Sequence, residues 1–340
     1  MPFGASRGMS TAYLTQGAGK QSIALDLEDD SDFSTMLKLL SVADVFVENH
    51  RPETMKRLGL DEARLSKNFP HLIHCAMTGY GRGGPQENTS AYDVNIQASC
   101  GLMDVTGTAE SGPIRAGAPV LDYATAMAAA FAISAALFER TKTGKGTFVD
   151  VSMLETGFSL MSSTITDYLK TGNAPQRRGN LANSRSPGAG SFPCRTGVIS
   201  LGVNEEKHFI NLARSLGFDH WLSDPRFSEP NARKRNATDL VSEIEDKLKQ
   251  KTAEEWEEIL QKHGVPAARL RSLPEALASE QVVKRGFVQM TDDDVQVPTL
   301  PFRLGGAPSY APSSSAPKIG ENSETVKAWL EKLLSAKRDQ

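Results

Sequence analysis

The chain has 340 residues, of which 39% are hydrophobic, and a formal net charge of −3. This length and apolar content suffice for a buried core in one large domain or two smaller ones. The small net charge and the lack of a long basic run argue against a nucleic-acid partner. The three cysteines are widely spaced and no histidine pair has metal-ligand spacing, so we predict no metal and a reducing, cytoplasmic location.

In the first half of the chain, short apolar runs alternate with amphipathic stretches. Strands are predicted at 23–27, 44–47, 72–77 and 147–151. Helices are predicted to begin near 31, 92 and 152, to cover 52–68 in two pieces broken near Gly59, and to cover 119–141. Strands that alternate with helices predict parallel βαβ units. We therefore expect an α/β fold, with a large domain over 1–170 built on a Rossmann-like parallel sheet.

The second half of the chain differs from the first in amino-acid composition. Residues 171–197 are rich in Gly, Pro, Ser, Asn and Arg, which predicts a long linker loop. Strands at 198–201, 267–271 and 286–290, with helices at 204–216, 236–250 and 252–263, predict a smaller α+β domain over 198–300. Residues 301–340 form a return segment: 298–318 is rich in Pro and Ser and predicted to be irregular, and an amphipathic helix follows at 322–336.

An alanine-rich run from Ala124 to Leu137 carries no charge. It is too short to span a bilayer comfortably, so we predict a buried helix. The first residues lack the charged and apolar regions of a signal peptide. The sequence therefore predicts no membrane partner.

Asp122 stands where an extended segment, 118–122, gives way to this apolar helix. The amides at the start of a helix are unpaired and its dipole favours negative charge there, so we expect Asp122 to stay ionised. An ionised carboxylate can act as a nucleophile. The alternative is that Asp122 only caps the helix, as most such residues do.

Two further patterns suggest ligand contacts. Residues 79–84 satisfy G-x-G-x-x-G, but loop residues follow where a dinucleotide site needs a helix, so an oxidoreductase is a weak alternative. Residues 48–52 follow the end of a predicted strand, where ligands bind in open α/β sheets. Arg51 and Arg57 have planar donor forks that suit phosphate, and the alternative is an ordinary surface loop.

Taken together, these segments resemble the class III CoA-transferase family, the group related to formyl-CoA transferase and carnitine CoA-transferase. The resemblance runs from about Lys20 to Asn322. It depends on the order and spacing of several motifs. These are Lys20–Asp26, Val47–Pro52, Thr78–Gly81 with Gly84-Pro85, Tyr92-Asp93 with Gln97, Gly101–Met103, the Asp122 segment, Thr143–Gly146, Val149–Ser152, Asp224–Phe227 and Gly264–Pro266.

The resemblance implies an enzyme that moves CoA from an acyl-CoA to a free carboxylic acid. Asp122 attacks the thioester, a mixed anhydride forms, and the released CoA thiolate then converts Asp122 into an aspartyl-CoA thioester. An acceptor acid repeats these steps in reverse. CoA is then a substrate, and no permanently bound cofactor is implied.

The resemblance also implies contacts for individual residues. Tyr92 corresponds to a position near the thioester, and a glycine-rich loop is expected to cover the site. The CoA contacts carried over are Lys20, Asn49, His50, Arg51, Arg57, Tyr92 and Met153, and the loop residues are Gly188, Ala189 and Gly190.

Two alternatives remain within this resemblance. Racemases of the same superfamily have His where this chain has Tyr92, and the ordinary pKa of tyrosine, about 10, makes it a poor base at neutral pH. The family pattern usually has a further βαβ segment before the Lys20 motif. An inactive, truncated CoA-binding homologue is therefore the second alternative, because the loss of a central strand exposes neighbouring edges.

The resemblance implies a homodimer of two interlocked, ring-like chains. The long connections at 171–197 and 298–318 suit such an arrangement.

Overall fold

The structure, a computed structural model, describes residues 5–6, 8–182, 184, 186–306, 312 and 314–338. The chain forms two compact units. The first contains Met1–Val105, Ile114–Pro175 and Glu280–Gln340, and the second contains Thr106–Pro113 and Gln176–Ser279. These boundaries differ from the predicted ones, because 280–300 belong to the first unit and 176–197 to the second.

The elements of the chain up to residue 171 alternate much as predicted. The strands are β1 (Ala5–Ser6), β2 (Met9–Ser10), β3 (Val45–Glu48), β4 (Ile73–Thr78), β5 (Gly107–Thr108), β6 (Gly112–Pro113) and β7 (Phe148–Ser152). The helices are α1 (Thr11–Gly17), α2 (Asp30–Val42), α3 (Pro52–Arg57), α4 (Glu62–Asn68), α5 (Asp93–Ser99), α6 (Leu102–Val105), α7 (Val120–Thr143), α8 (Met153–Leu160) and α9 (Ser162–Thr171). The predicted break near Gly59 is confirmed, because α3 and α4 lie on either side of it.

The remaining elements complete both units. The strands are β8 (Ala189–Pro193), β9 (Val198–Gly202), β10 (Ala267–Arg269), β11 (Val288–Met290) and β12 (Gln296–Pro298). The helices are α10 (Glu206–Leu216), α11 (Pro230–Arg235), α12 (Ala237–Leu248), α13 (Ala253–Lys262), α14 (Leu273–Leu277), α15 (Glu280–Arg285) and α16 (Ser323–Arg338), with a 3₁₀ turn at Asp219–Leu222.

A parallel sheet in the order β3-β4-β7 organises the first unit and confirms the predicted α/β class. The central strand is buried on both faces, and its residues Ile73, Cys75 and Ala76 are completely inaccessible to solvent. The segment before β7 packs tightly against the start of β4. A Cβ on Gly146 would lie 2.0 Å from the Leu72 carbonyl oxygen, so only glycine fits there.

The predicted strand at 23–27 is wrong, because this segment pairs with side chains and not with a sheet. The Ser22 amide donates to Asn322 Oδ1 (2.9 Å) and the Ala24 amide donates to Ser323 Oγ (3.1 Å). Both acceptors stand at the start of α16. The amides of this extended segment therefore find hydrogen-bond acceptors at the start of a helix that lies about 300 residues away in the chain.

The second unit contains the antiparallel sheet β10-β9-β8, packed against helices α10, α12 and α13. Its core centres on aromatic side chains that are almost completely buried, among them Trp221, Trp256 and Phe227. The loop predicted over 171–197 is wrong in part, because Ala189–Pro193 is strand β8. Pairing with β9 along its full length outweighs the weak strand preference of Gly and Pro.

The apolar helix α7 is longer and more exposed than predicted. It has 24 residues, and its most apolar window has a mean hydropathy of 1.6, enough by length and composition to cross a membrane. Only 17% of that window is buried in this chain, so the prediction of a buried helix is wrong for a single copy. The far end of α7 is fixed to the sheet, since Arg140 donates to the carbonyls of Asp44 (3.1 Å) and His71 (3.0 Å).

The predicted C-terminal helix is confirmed as α16, and the predicted irregular segment before it is described only in part. Residues 307–311 and 313 of the predicted stretch 298–318 lie outside the described residues. Within the first unit, the described part contacts the N-terminal segment at Ser314, whose carbonyl accepts from the Gly19 amide at 2.9 Å.

Candidate active site

A cavity of about 620 Å³ opens at the carboxyl ends of the parallel strands in the first unit. The residues that follow β3, β4 and β7 form its floor, as expected for a ligand site on an open α/β sheet. The first turns of α7 complete the wall. Its lining residues are Gln16, Asn49, His50, Arg51, Met77, Thr78, Gly79, Glu87, Thr89, Ser90, Ala91, Tyr92, Asp122, Thr125, Ala126 and Met153.

Asp122 lies in the first turn of α7 and lines this cavity. It does not cap the helix. The residue at the N-cap position is Pro119, and the Asp93 carboxylate takes the capping role from a distance. Asp93 Oδ2 accepts from the amides of Leu121 (2.7 Å) and Asp122 (3.3 Å). The Asp122 carboxylate itself has no hydrogen-bond partner among the residues that the structure describes, so it is available to a ligand.

The environment of Asp122 raises the pKa of its carboxyl group. Burial is the larger cause, and the negative charge of Asp93 is the second. The direction of this shift is opposite to the one that the amides of a helix start would produce, because another carboxylate already occupies those amides. A raised pKa means that the carboxylate is poorly solvated, and a poorly solvated carboxylate is more nucleophilic than one in water.

Asp93 also connects the helix start to the loop before it. Gln97, one turn further along α5, donates to Asp93 through Nε2 and accepts from the Ala116 amide at 2.9 Å through Oε1. Both Asp93 and Gln97 are buried. The pair therefore fixes the segment that leads into α7 and, with it, the position of Asp122.

Most of the residues predicted to contact CoA are brought together around this cavity. Asn49, His50 and Arg51 follow β3, Tyr92 stands at the start of α5, and Met153 stands at the start of α8. Tyr92 is 76% exposed, so its ring is accessible to a ligand in the cavity. The Arg51 guanidinium donates to Ser90 Oγ across the cavity wall.

The structure does not place Lys20 and Arg57 on the cavity lining. Lys20 Nζ donates to the carbonyl of Gln16, which does line the cavity, so Lys20 is next to a lining residue without lining the cavity itself. Arg57 forms a 2.6 Å ion pair with Glu28, and both side chains are well exposed. Their predicted roles in CoA binding stay predictions.

The residues predicted to form a loop over the site belong to the second unit. Ala189 and Gly190 lie in strand β8, opposite Gly202 and Leu201 of β9, and Gly188 directly precedes this strand. All three loop candidates are buried. Ala189 and Gly190 are therefore strand residues held by their pairing, and the predicted cover over the site stays a prediction.

A buried ionic group positions the loop after β3. Glu48 accepts from the His50 amide (2.6 Å) and from Arg82 Nη2 (2.6 Å), and the Arg82 amide donates to Asp150 (3.1 Å). The Glu48 side chain is 2% exposed, so its charge is compensated by Arg82 and not by water. This group holds Asn49, His50 and Arg51 at the cavity.

The glycine motif at 79–84 serves the site by close packing. A Cβ on Gly79 would lie 2.3 Å from the Ala91 Cβ atom, so glycine lets the loop that carries Tyr92 fold back onto the end of β4. Residues 79–92 contain no helix. A dinucleotide motif needs a helix immediately after the glycines, so the structure rejects that alternative.

Sequence reasoning had not assigned roles to Asp93, Gln97, Glu48 or Arg82. The spacing of Asp93 and Gln97, four residues apart in a helix, is a signal that the two side chains share a face. The contact of Asp93 with residues 121–122 had no such signal, because it joins positions 28 residues apart.

The comparisons with known proteins agree with this geometry. The chain matches the family model of CoA-transferase family III over residues 1–323. It is similar in structure to a CaiB/BaiF family protein from Brucella suis, with a TM-score of 0.84, 28% sequence identity, and coverage of 97% of this chain and 87% of that one. The protein belongs to the CoA-transferase family III.

Curated relatives carry names from the same family. Acetyl-CoA:oxalate CoA-transferase from Acetobacter aceti is 31% identical over 310 residues, which is 91% of this chain and 79% of the relative. Succinyl-CoA:glutarate CoA-transferase from Mus musculus is 29% identical over 279 residues, which is 82% of this chain. The match spans 64% of the mouse protein's length.

Proposed function

We propose that this protein transfers CoA from an acyl-CoA thioester to a free carboxylic acid, with Asp122 as the covalent nucleophile. One observation carries the proposal: the Asp122 carboxylate, which Asp93 frees from helix capping, lines a cavity of about 620 Å³. The raised pKa of Asp122 supports the same role. A cavity of this size suits an extended small ligand.

The chemistry follows from the position of Asp122. Its carboxylate attacks the thioester carbon of the donor, the C–S bond breaks, and a mixed anhydride and CoA thiolate result. The thiolate attacks the Asp122 carbonyl, the donor acid leaves, and Asp122 carries CoA as a thioester. The acceptor carboxylate attacks that thioester, and the steps run in reverse to release the new acyl-CoA. No external oxidant, reductant or metal is consumed.

The acceptor is proposed to be a short dicarboxylic acid. The names of relatives include glutarate and oxalate, and both acids are small and doubly charged. His50 and Arg51 supply cationic or donor groups on the cavity wall that can hold a second carboxylate or a CoA phosphate.

A screen tests the proposed activity. The purified chain is mixed with succinyl-CoA or acetyl-CoA and with glutarate, oxalate or malonate, and new thioesters are measured by mass spectrometry. We expect a new acyl-CoA with at least one acid. Deuterium exchange at the α-carbon of a branched acyl-CoA in the absence of an acid, with no new thioester, would instead indicate a racemase.

Arg51 provides a prediction about CoA affinity. Replacement of Arg51 by Ala removes a charged donor from the cavity wall and is expected to raise KM for the acyl-CoA about 10-fold, with kcat nearly unchanged. Arg64→Ala is the matched control, because Arg64 is exposed and pairs only with Asp61 at 3.9 Å. An Arg51→Ala variant with the KM of the parent would remove Arg51 from the CoA site.

We also propose that two copies associate through α7. A stripe of large apolar side chains on this helix is exposed to between 52% and 78%; its members are Tyr123, Met127, Phe131 and Phe138. These positions share one face of the helix, and a patch of this kind marks an interface.

Sedimentation tests this dimer. The parent chain is expected to sediment as a dimer at micromolar concentration, and Phe131→Glu is expected to shift it towards monomer because it buries a charge in the interface. Lys249→Glu, an exposed charge reversal in the second unit, is the control. A parent chain that sediments as a monomer would contradict the proposal.

A further inference from the structure

Thr125 is the one aliphatic hydroxyl of helix α7 that the structure leaves without a partner. Its side chain is only 3% exposed, and its Oγ1 atom is buried with no hydrogen bond. Hydroxyls inside helices normally donate back to a carbonyl of the preceding turn. The other three in α7 do so: Ser134 donates to Ala130 (2.8 Å), Thr141 to Phe138 (2.7 Å) and Thr143 to Glu139 (3.2 Å).

The Thr125 hydroxyl lies close to the proposed nucleophile. Thr125 lines the same cavity as Asp122 and stands three residues after it in α7. Residues three apart on a helix are surface neighbours, with Cβ atoms about 5–6 Å apart. A buried hydroxyl without a partner is costly to keep, so a specific explanation is required for it.

We propose that the Thr125 hydroxyl is a hydrogen-bond donor to the side-chain carbonyl oxygen of Asp122 during the reaction. The inference rests on the proposed function, because it needs Asp122 to become an acyl carbonyl. When CoA thiolate attacks the Asp122 carbon of the anhydride, a C–S bond forms and negative charge moves onto that oxygen. When the bond to the donor acid breaks, the carbonyl of Asp122 forms again and the negative charge leaves on the donor carboxylate. Thr125 keeps its proton throughout and stabilises the oxyanion.

The helix makes this assignment specific. The distance between the Cβ atoms of Thr125 and Asp122 is set by the backbone of α7, so it does not depend on which acid is bound. The carbonyl oxygen of the substrate acyl group changes position with the acid, whereas the Asp122 oxygen does not. A free donor one helical turn from the nucleophile therefore stays within reach of Asp122 in every step in which Asp122 is the attacked carbonyl.

The variant Thr125→Val tests the donor with little change of shape. We expect kcat to fall about 100-fold, the loss typical of one oxyanion donor, with KM for acyl-CoA changed less than about 2-fold. The rate at which Asp122 acquires CoA in a single turnover should fall by the same factor. The melting temperature should stay equal or rise, because valine removes an unpaired buried hydroxyl.

Two further variants make the test decisive. Thr125→Ser keeps the hydroxyl and is expected to recover most of the lost rate. Thr141→Val makes the same chemical change on an exposed part of α7 and serves as the control.

The outcomes separate this inference from the proposed function. If the parent chain never acquires CoA on Asp122, both fail. If the parent acquires CoA and Thr125→Val does so at the parent rate, only the role of Thr125 is overturned. A Thr125→Val variant that is slow and less stable, with Thr125→Ser equally slow, would also overturn it, since that pattern indicates packing alone.

Discussion

Replacement of Asp122 by Asn is expected to lower the rate of CoA transfer by at least about 1,000-fold, as for the loss of a covalent nucleophile. Asparagine has nearly the same shape and leaves the backbone amide of residue 122 free to donate to Asp93 (3.3 Å). The measurement is kcat for new thioester formation. Asp167→Asn, an exposed change on α9, is the control.

The same Asn variant is expected to be at least as stable as the parent at neutral pH. The folded pKa of Asp122 is raised, so its contribution to stability is fully present below the ordinary carboxyl pKa. That contribution is lost as the pH rises through the raised folded pKa. Asparagine does not titrate, so it escapes this loss. A folded Asn variant, as followed by circular dichroism, that keeps the parent's rate would contradict the assignment of Asp122 as nucleophile.

Replacement of Asp93 is expected to have the second largest effect. Asp93→Ala leaves two amides of α7 and the Gln97 side chain without their acceptor, at a cost of about 2–3 kcal/mol in the free energy of unfolding. Loss of the cap also lets Asp122 shift, and a displacement of about 1 Å can cost about 100-fold in rate. Denaturant unfolding and kcat together measure both effects.

Asp93→Asn separates the charge of Asp93 from its capping role. The amide oxygen still accepts a hydrogen bond, but the negative charge that raises the pKa of Asp122 is gone. Attack needs ionised Asp122, so kcat/KM falls as the pH drops through its pKa. We therefore expect the acid limb of the kcat/KM profile to move to lower pH in Asp93→Asn. An acid limb at the parent's position would show that Asp93 does not act on the nucleophile.

The course of the backbone in the first unit could largely be predicted from the sequence. The strands β3, β4 and β7 are short apolar runs bounded by polar residues, and the periodicity of the intervening helices is clear. Asp122 stands at a helix start in both the prediction and the structure. Such features depend on neighbours in the sequence, so local patterns reveal them.

The elements that were predicted wrongly depend on contacts between residues far apart in the sequence. Segment 23–27 has the composition of a strand, but the start of α16 takes its amides. Strand β8 has the composition of a loop, but β9 supplies its pairing. The capping of α7 by Asp93 likewise joins residues 28 positions apart, so nothing near Asp122 indicates that its carboxylate is left free.

The site residues likewise divide into those that local sequence patterns predict and those that depend on distant contacts. Asn49, His50 and Arg51 could be placed at the cavity because residues after parallel strands meet at one edge of the sheet. Arg57 and Lys20 were also predicted to contact CoA, but neither lines the cavity. The Arg57 side chain pairs with Glu28, and the Lys20 side chain donates to the carbonyl of Gln16. Which cation faces a cavity depends on such side-chain contacts, and no sequence spacing encodes them.

The most direct measurement is the covalent state of Asp122 during turnover. The chain is mixed with succinyl-CoA without an acceptor acid, denatured within seconds, and digested for mass spectrometry. The account predicts that the peptide containing Asp122 carries CoA as a thioester, that hydroxylamine removes the adduct, and that added glutarate depletes it. Full transfer activity with Asp122 unmodified, or with CoA on a different residue, would contradict it.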